Sequence, residues 1–258
     1  MSVEGITYHP MSTISETTMR IVLIVIALVL LASDSRAADP TYLYNAKFVQ
    51  AAPGKLIALI DLYKSRITSY TSTGDEPPQW IRHSQGDKWD LMLLFPMGSY
   101  AEYYRPERVS KRESEARMFR DKLKELVAWQ EDLFVYGPPL SDLRAAFSKG
   151  AFFHLEIFHA LAGKQAELFK EREMENAYQR ALGRPENFIF VRDQGASWDL
   201  FTLGVYRDLK HYAESVDIPA AAQDAAAKKA GFEASNRIGP YLRELIADHH
   251  DTLAVAVK

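Results

Sequence analysis

The sequence predicts an α+β protein of two tandem ferredoxin-like (βαββαβ) repeats, and three observations predict it. From Leu43 to Tyr103 the chain aligns without a gap on Phe152 to Tyr212, every position displaced by 109 residues: Gly54-Lys55 falls on Gly163-Lys164, Leu59 on Leu168, Gly74 on Gly183, Gln85-Gly86 on Gln194-Gly195, and Trp89-Asp90-Leu91 on Trp198-Asp199-Leu200. A second block, Leu123 to Ala128, recurs as Leu242 to Ala247 with Asp132 against Asp251, after ten inserted residues. A period this long marks a duplicated domain rather than a solenoid. Thirdly, the hydrophobic period switches between strand and helix in the same order in both copies.

In the first copy, Tyr42 to Val49 has the aromatic and aliphatic make-up of a strand, and Pro53-Gly54 ends it. Leu56, Leu59, Ile60, Tyr63 and Ile67 then recur at helical spacing. After the Gly74, Asp75, Pro77, Pro78 cluster, Gln79 to His83 and Trp89 to Phe95 predict two strands joined through Gln85-Gly86-Asp87, a hairpin. A helical region from about Tyr100, an amphipathic stretch from Glu113 to Glu131 and a strand at Leu133 to Tyr136 complete the copy. The second copy reads as Phe152 to Phe158, a helix near Lys164 to Leu182, strands near Phe188 to Arg192 and Trp198 to Val205, helices, and a last strand at Thr252 to Val257. The Ala-rich stretch Ala220 to Ala230 is a helix by propensity. The resulting domains are residues 38–137 and 151–258, with 138–150 as the linker.

An antiparallel sheet with helices on one face leaves its other face to be covered, and a tandem pair solves this by laying the two open faces together. Alternation along the first strands assigns Tyr44, Ala46, Phe48, Phe153, Leu155 and Ile157 to the helix side. It assigns Asn45, Lys47, His154 and Glu156 to a lumen between the sheets.

Hydrophobic content of 47% and charged content of 25% are ordinary for a globular chain, and a net charge of -3 supplies no field for polyanions, so nucleic acid is not expected as a partner. Ile21 to Ala32 is an apolar run preceded by Arg20 and followed by Ser35-Arg36-Ala37, the pattern of a signal peptide cut after Ala37. The run falls short of the roughly 20 residues of a membrane span. We therefore expect residues 1–37 to be removed, the mature chain to be periplasmic or secreted, and no stable membrane insertion; an uncleaved anchor is the competing reading. The polar stretch before Met19 suggests a start at Met11 or Met19. With no cysteine, neither disulfides nor thiolate metal sites are available.

The pattern of strand, Pro53-Gly54-Lys55, amphipathic helix, hairpin and Trp-Asp-Leu resembles the dimeric α/β-barrel superfamily. Tyr44 to Tyr63 and Phe153 to Phe169 are similar to its NIPSNAP-like branch, although Ala162 stands where the first copy has Pro53. The resemblance implies a pseudodimeric α/β barrel. It also implies a choice of activities, since the superfamily includes quinone-forming and haem-degrading monooxygenases and chlorite dismutases. Haem-degrading members use an asparagine, a tryptophan and a helix histidine. Asn45 and Trp89 match in kind, but the first copy has Glu102 where the second has His211, leaving only a mixed set of Asn45, Trp198 and His211.

His154 and Glu156 stand two apart on one strand face, with Asn45 and Lys47 at the matching places of the other copy. His154 beside Glu156 suits general-base chemistry with Lys47 stabilising an anion; a plain Lys47–Glu156 ion pair is the structural alternative. His159 has the wrong strand parity to complete a metal site, and we assign none. His249 and His250 suit a helix C-terminus near Ala247. Trp89 and Trp198, shared by both copies, either plug the ends of the core or contact a ligand. His83 and Arg192, at matching strand ends, suit solubility or an anionic ligand.

These readings point to an exported protein that binds a small apolar or aromatic molecule between its halves, with no cofactor required, and whose chemistry, if it is an enzyme, is that of a monooxygenase-type oxidoreductase. A non-catalytic binding or assembly module, including a homo-oligomer, and a haem-binding or haem-degrading protein are the alternatives.

Overall fold

Each half opens with residues that favour strand, is broken by a glycine-centred turn, and continues into a helix whose apolar stripe needs a sheet to cover it. The computed structural model describes residues 41–257; the expected signal segment at Ile21 to Ala32 and the cut after Ala37 lie outside them. The elements are β1 (Tyr42–Ala51), α1 (Leu56–Thr73), β2 (Gln79–Gln85), β3 (Leu91–Gly98), α2 (Tyr100–Tyr103), α3 (Pro106–Leu126), β4 (Val127–Gly137), α4 (Leu140–Phe147), β5 (Phe152–Ala160), α5 (Gln165–Ala181), β6 (Phe188–Gln194), β7 (Leu200–Tyr206), α6 (Leu209–Ala213), α7 (Ala220–Ala230), α8 (Ile238–Arg243) and β8 (Ile246–Ala256). No helix among the described residues is long and apolar enough to cross a membrane.

The strands form one closed antiparallel barrel in the order β1-β3-β2-β8-β5-β7-β6-β4. Each half contributes four neighbouring strands, and the seams are β2 with β8 and β4 with β6. The ladders keep the sequence offsets. Lys47 lies opposite Leu93 and Asp132, and Glu156 opposite Thr202 and Asp251. The shared Trp-Asp pairs have one structural task in both halves: Asp90 accepts from the Ala51 N–H at 2.7 Å and Asp199 from the Ala160 N–H at 2.8 Å, fixing the ends of β1 and β5.

Closure corrects the expected assignment of faces. The interior of an eight-stranded barrel is just wide enough to be filled by side chains, and the more apolar faces of β1 and β5 help to fill it. Tyr44, Ala46 and Phe48 meet Phe153, Leu155 and Ile157 there in a single buried cluster with Trp89, Trp198, Phe190 and Phe201. The space between the sheets is therefore core rather than a ligand chamber. Asn45, Lys47, His154 and Glu156 point outward beneath the helices, which cover the sheets through smaller clusters: Val49, Leu59, Ile60, Tyr63, Leu91 and Leu93 in the first half, and Phe158, Leu168, Leu200, Leu242, Leu245 and Ile246 in the second.

Three local boundaries also differ from expectation. The last strands begin earlier, at Val127 and Ile246, because the ladder carries these residues opposite Ala51 and Ala160 and ends the preceding helical pattern. His249 and His250 consequently sit on β8, not at a helix end. The segment 138–150 contains α4, held to the barrel by the fully buried Leu143, and Tyr44 donates to the Pro138 carbonyl at 2.7 Å.

Two glycines make the seams. Gly86 and Gly195, at φ +123° and +112°, turn the hairpins of the two halves against the last strand of the opposite half. A Cβ at Gly86 would lie 2.4 Å from the Asp251 carbonyl oxygen, and one at Gly195 2.7 Å from the Leu133 Cβ. Gly195→Ala should lower the unfolding free energy by roughly 3 kcal/mol, through the left-handed backbone and the clash together. Gly163→Ala, where φ is also positive but nothing lies within 4 Å, should cost only about 1 kcal/mol. Urea denaturation of the two variants gives the comparison, and equal losses would rule out the seam contact as the cause.

Candidate functional site

Because the polar strand faces lie under the helices, sites arise between sheet and helix in each half. In the first half α1 and α3 stand off the sheet and leave a cavity of about 780 Å³ reached by Asn45 and Lys47 of β1, Phe95 of β3 and Gln130 of β4. Its helical wall is aromatic and basic: Tyr63, Arg66 and Tyr70 at intervals of three and four along α1, with Arg112 and Phe119 of α3 opposite. The Arg66 guanidinium lies 4.6 Å over the Phe119 ring, and that of Arg112 lies 3.7 Å over Tyr103. Buried Asp75 draws Arg108, at 2.7 Å, and Arg112, at 3.7 Å, onto the end of α1. Lys47 pairs with Asp132, which also accepts from Gln130, while the Asn45 amide donates to the Leu133 carbonyl at 3.2 Å.

Three donors on residues that line this cavity are buried beneath its surface without a hydrogen-bond partner among the described residues: Tyr63 Oη, Arg66 Nε and Arg112 Nη1. Leaving such groups unpaired costs free energy that a ligand acceptor would recover. Burial raises the Tyr63 phenol well above its ordinary value and pushes that of Tyr70 up to about 12, so both remain neutral donors.

The same place in the second half is filled by charge. Tyr63 and Arg66 correspond, at the 109-residue offset, to Arg172 and Glu175 of α5. Arg172 is almost wholly buried and lies 4.8 Å over the Phe158 ring. It binds Glu171 at 2.5 Å and Glu175 at 2.7 Å, and stands 3.5 Å from Glu156. His154 Nε2 lies 3.1 Å from Asp251 Oδ1, and His249 Nε2 lies 3.2 Å from the other Asp251 oxygen. The Thr202 hydroxyl donates to Glu156 at 3.2 Å.

Burial, followed by the charge of Glu175, pushes the Glu156 carboxyl up to about 7 against the pull of Arg172 and His154. The hydrogen bond from His154 leads in lowering Asp251 to about 2. For His154, burial opposes the imidazolium, but the hydrogen bond to Asp251 and the charges of Glu156, Asp251 and Glu175 outweigh it and raise the net value.

Of the residues singled out from sequence, His154 and Glu156 are together. Lys47 and Asn45 do not join them: they sit on the first half's strands, under other helices. Trp89 and Trp198 are in the barrel core, 5.4 and 6.1 Å from Phe48. His83 packs edge-on against Trp89, and Arg192 reaches Asp199 at 3.1 Å beside a separate cavity of about 510 Å³. His211 is in the first turn of α6, where its ring accepts from the Arg207 N–H at 3.2 Å. Asn45, Trp198 and His211 are thus in three different places, and among the described residues no histidine lines the first-half cavity. The residues do not fit the haem-degrading set that the resemblance implies. Sequence reasoning missed Asp251 as the neighbour of His154 and Glu156, and it missed the wall of Tyr63, Arg66, Tyr70, Arg112 and Phe119. The interleaved aromatic and basic residues of the two helices are the signal for that wall.

The described fold is similar to several solved structures. These include an anthrone oxidase-like protein, 13% identical with a TM-score of 0.54 over 86% of this chain and 94% of that one. An inferred monooxygenase from Fusobacterium nucleatum subsp. nucleatum ATCC 25586 is 9% identical, with a TM-score of 0.53 over 84% and 93%. Another from Lactobacillus acidophilus NCFM is 8% identical, with a TM-score of 0.51 over 83% and 93%. What is shared at these identities is the dimeric α/β-barrel fold. No protein-family model and no curated protein sequence matches the chain.

The raised Glu156 value fixes a sign for stability against pH. The fold favours the protonated acid, so this contribution is complete below the ordinary value of 4.5 and is lost as pH rises through about 7. Between pH 4.5 and 8, in chelator-containing buffer, wild type should lose on the order of 2 kcal/mol relative to Glu156→Gln. Urea midpoints across that range test this, and parallel profiles for the two proteins would contradict it.

Proposed function

We propose that this protein binds a planar aromatic molecule carrying an anionic oxygen, in the cavity between the first-half sheet and helices α1 and α3. The observation that carries the reading is the set of three buried, unpartnered donors among aromatic walls, Tyr63 Oη, Arg66 Nε and Arg112 Nη1. All three can donate and the guanidiniums cannot accept, so the complementary group is an acceptor, best an oxyanion. Tyr70, Phe95, Tyr103 and Phe119 line the same cavity with aromatic rings, which suits a flat, apolar body.

Such a site favours the deprotonated form of a phenol or of an enolisable ketone, because fixed donors in a low-dielectric pocket stabilise the anion. That electron-rich form is the one that reacts with dioxygen. Fold neighbours described as an oxidase-like protein and as monooxygenases make oxidation the chemistry to test first. Anthrone is the natural probe: its methylene carbon would lose two hydrogens and gain one oxygen atom, with the other leaving as water. Membership of the NIPSNAP-like branch enters the proposal through the Pro53-Gly54-Lys55 helix start. Export enters it through the apolar run before Ala37; N-terminal sequencing of protein recovered from the periplasm or medium should begin at Ala38.

A hydroxyanthraquinone titrated into the protein should raise its melting temperature, whereas anthracene should do so far less. Tyr63→Phe should leave the ligand-free protein as stable as wild type, since the lost hydroxyl has no partner, yet weaken binding about tenfold. Arg66→Met should weaken it by a similar or larger factor. Oxygen uptake with anthrone, lost in Arg66→Met, would establish the oxidase reading; binding without uptake would leave a binding protein. If neither probe shifts the melting transition, the site has been misassigned.

A further inference from the structure

We propose that His154, Glu156 and Asp251 form a binding site for a divalent transition-metal ion on the helix-covered face of the second half. The backbone sets the geometry. His154 and Glu156 are two apart on β5 and share a face, and the antiparallel ladder places Asp251 of β8 opposite Glu156. One imidazole nitrogen and two carboxylate oxygens thereby lie within 4.8 Å of one another. Asp251 is half exposed and can turn onto an ion, and His249 Nε2 lies 3.2 Å from its second oxygen.

The two halves of the chain supply the stronger argument. At the register of Glu156 and Asp251 the first half has Lys47 and Asp132, and the Lys47 ammonium is the resident cation of that Asp132 carboxylate. The second half keeps the aspartate but replaces the ammonium by a second carboxylate, and it places His154 where the first half has Asn45. On the covering helix the change is in the same direction: Arg66 becomes Glu175. Glu156, Glu171 and Glu175 then converge on Arg172. Two positions that carry cations in the first half, Lys47 and Arg66, carry carboxylates in the second, and the surplus negative charge lies beside the donor set. One nitrogen and two hard oxygens suit Zn²⁺, Mn²⁺ or Fe²⁺ better than Cu⁺, and three protein ligands leave a position open.

Zn²⁺ is the probe, added to chelator-stripped mature protein in an isothermal titration. One equivalent should bind per chain. Asp251→Asn, which alters a half-exposed residue and should leave folding intact, and His154→Ala should each weaken binding at least tenfold. Asp132→Asn, at the corresponding place of the first half, should leave it unchanged. Absence of Zn²⁺ binding by wild type, or full affinity retained in Asp251→Asn, would overturn the proposal and leave His154, Asp251 and His249 as a hydrogen-bonded cluster. A loss as large in Asp132→Asn as in Asp251→Asn would overturn it as well. The first-half cavity takes no part in this measurement, so failure of either reading leaves the other standing.

Discussion

Closure of the barrel at two seams governs everything else in this molecule. Where β2 meets β8 and β4 meets β6, the last edges of the two sheets are removed, and with them the possibility of a solvated interior. An enclosed volume of that width has room only for side chains, so β1 and β5 turn their more apolar faces inward and their polar faces out. The helices then cover a polar surface as well as an apolar one. Their contact with the sheet cannot be purely hydrophobic, and each half resolves the resulting polar layer in its own way.

The resolutions are opposite in sign. Under α1 the sheet offers Lys47 and the helix Arg66; under α5 the sheet offers Glu156 and the helix Glu175. Each pair is like-charged, which by itself destabilises a partly buried layer. In the first half Asp132 neutralises Lys47, and Arg66 lies against aromatic rings. In the second, Arg172 is drawn into the layer and shared among three glutamates. The two halves thus present one layer short of anions and one short of cations.

Much of this was legible in the sequence, and the parts that were not share a cause. The repeat offsets give the element order, and they would have given more. The match of Asp132 with Asp251, combined with the βαββαβ topology, puts Asp251 beside Glu156 on the neighbouring strand. That step requires knowing that the last strand starts at Ile246 rather than Thr252, and the amphipathic pattern of the preceding segment hides it. The inverted faces have a different origin. Alternation along Tyr44 to Phe48 reports which face is more apolar, whereas it is silent on whether a helix or the barrel interior covers that face, since both are dry. The wall of Tyr63, Arg66 and Phe119 was hidden in the same way, because aromatic residues at helical spacing read first as core.

One pair of residues contributes directly to the layer being hollow in one half and filled in the other. Tyr63 and Arg172 occupy the same place on the helix of their half, each almost wholly buried. A tyrosine there packs its ring against Phe119 and Trp80 at 5.6 and 6.1 Å, so it stays on the helical wall, and its hydroxyl is left buried without a hydrogen-bond partner among the described residues. An arginine is longer and must satisfy five N–H groups, so it crosses the layer to reach carboxylates on both sides, including Glu156 of the sheet. The cavity of the first half and the charged cluster of the second therefore follow from this exchange together with those of Lys47 for Glu156 and Arg66 for Glu175. Filling the layer with Arg172 requires acidic neighbours to be retained, and it is those neighbours that gather the donor set around His154.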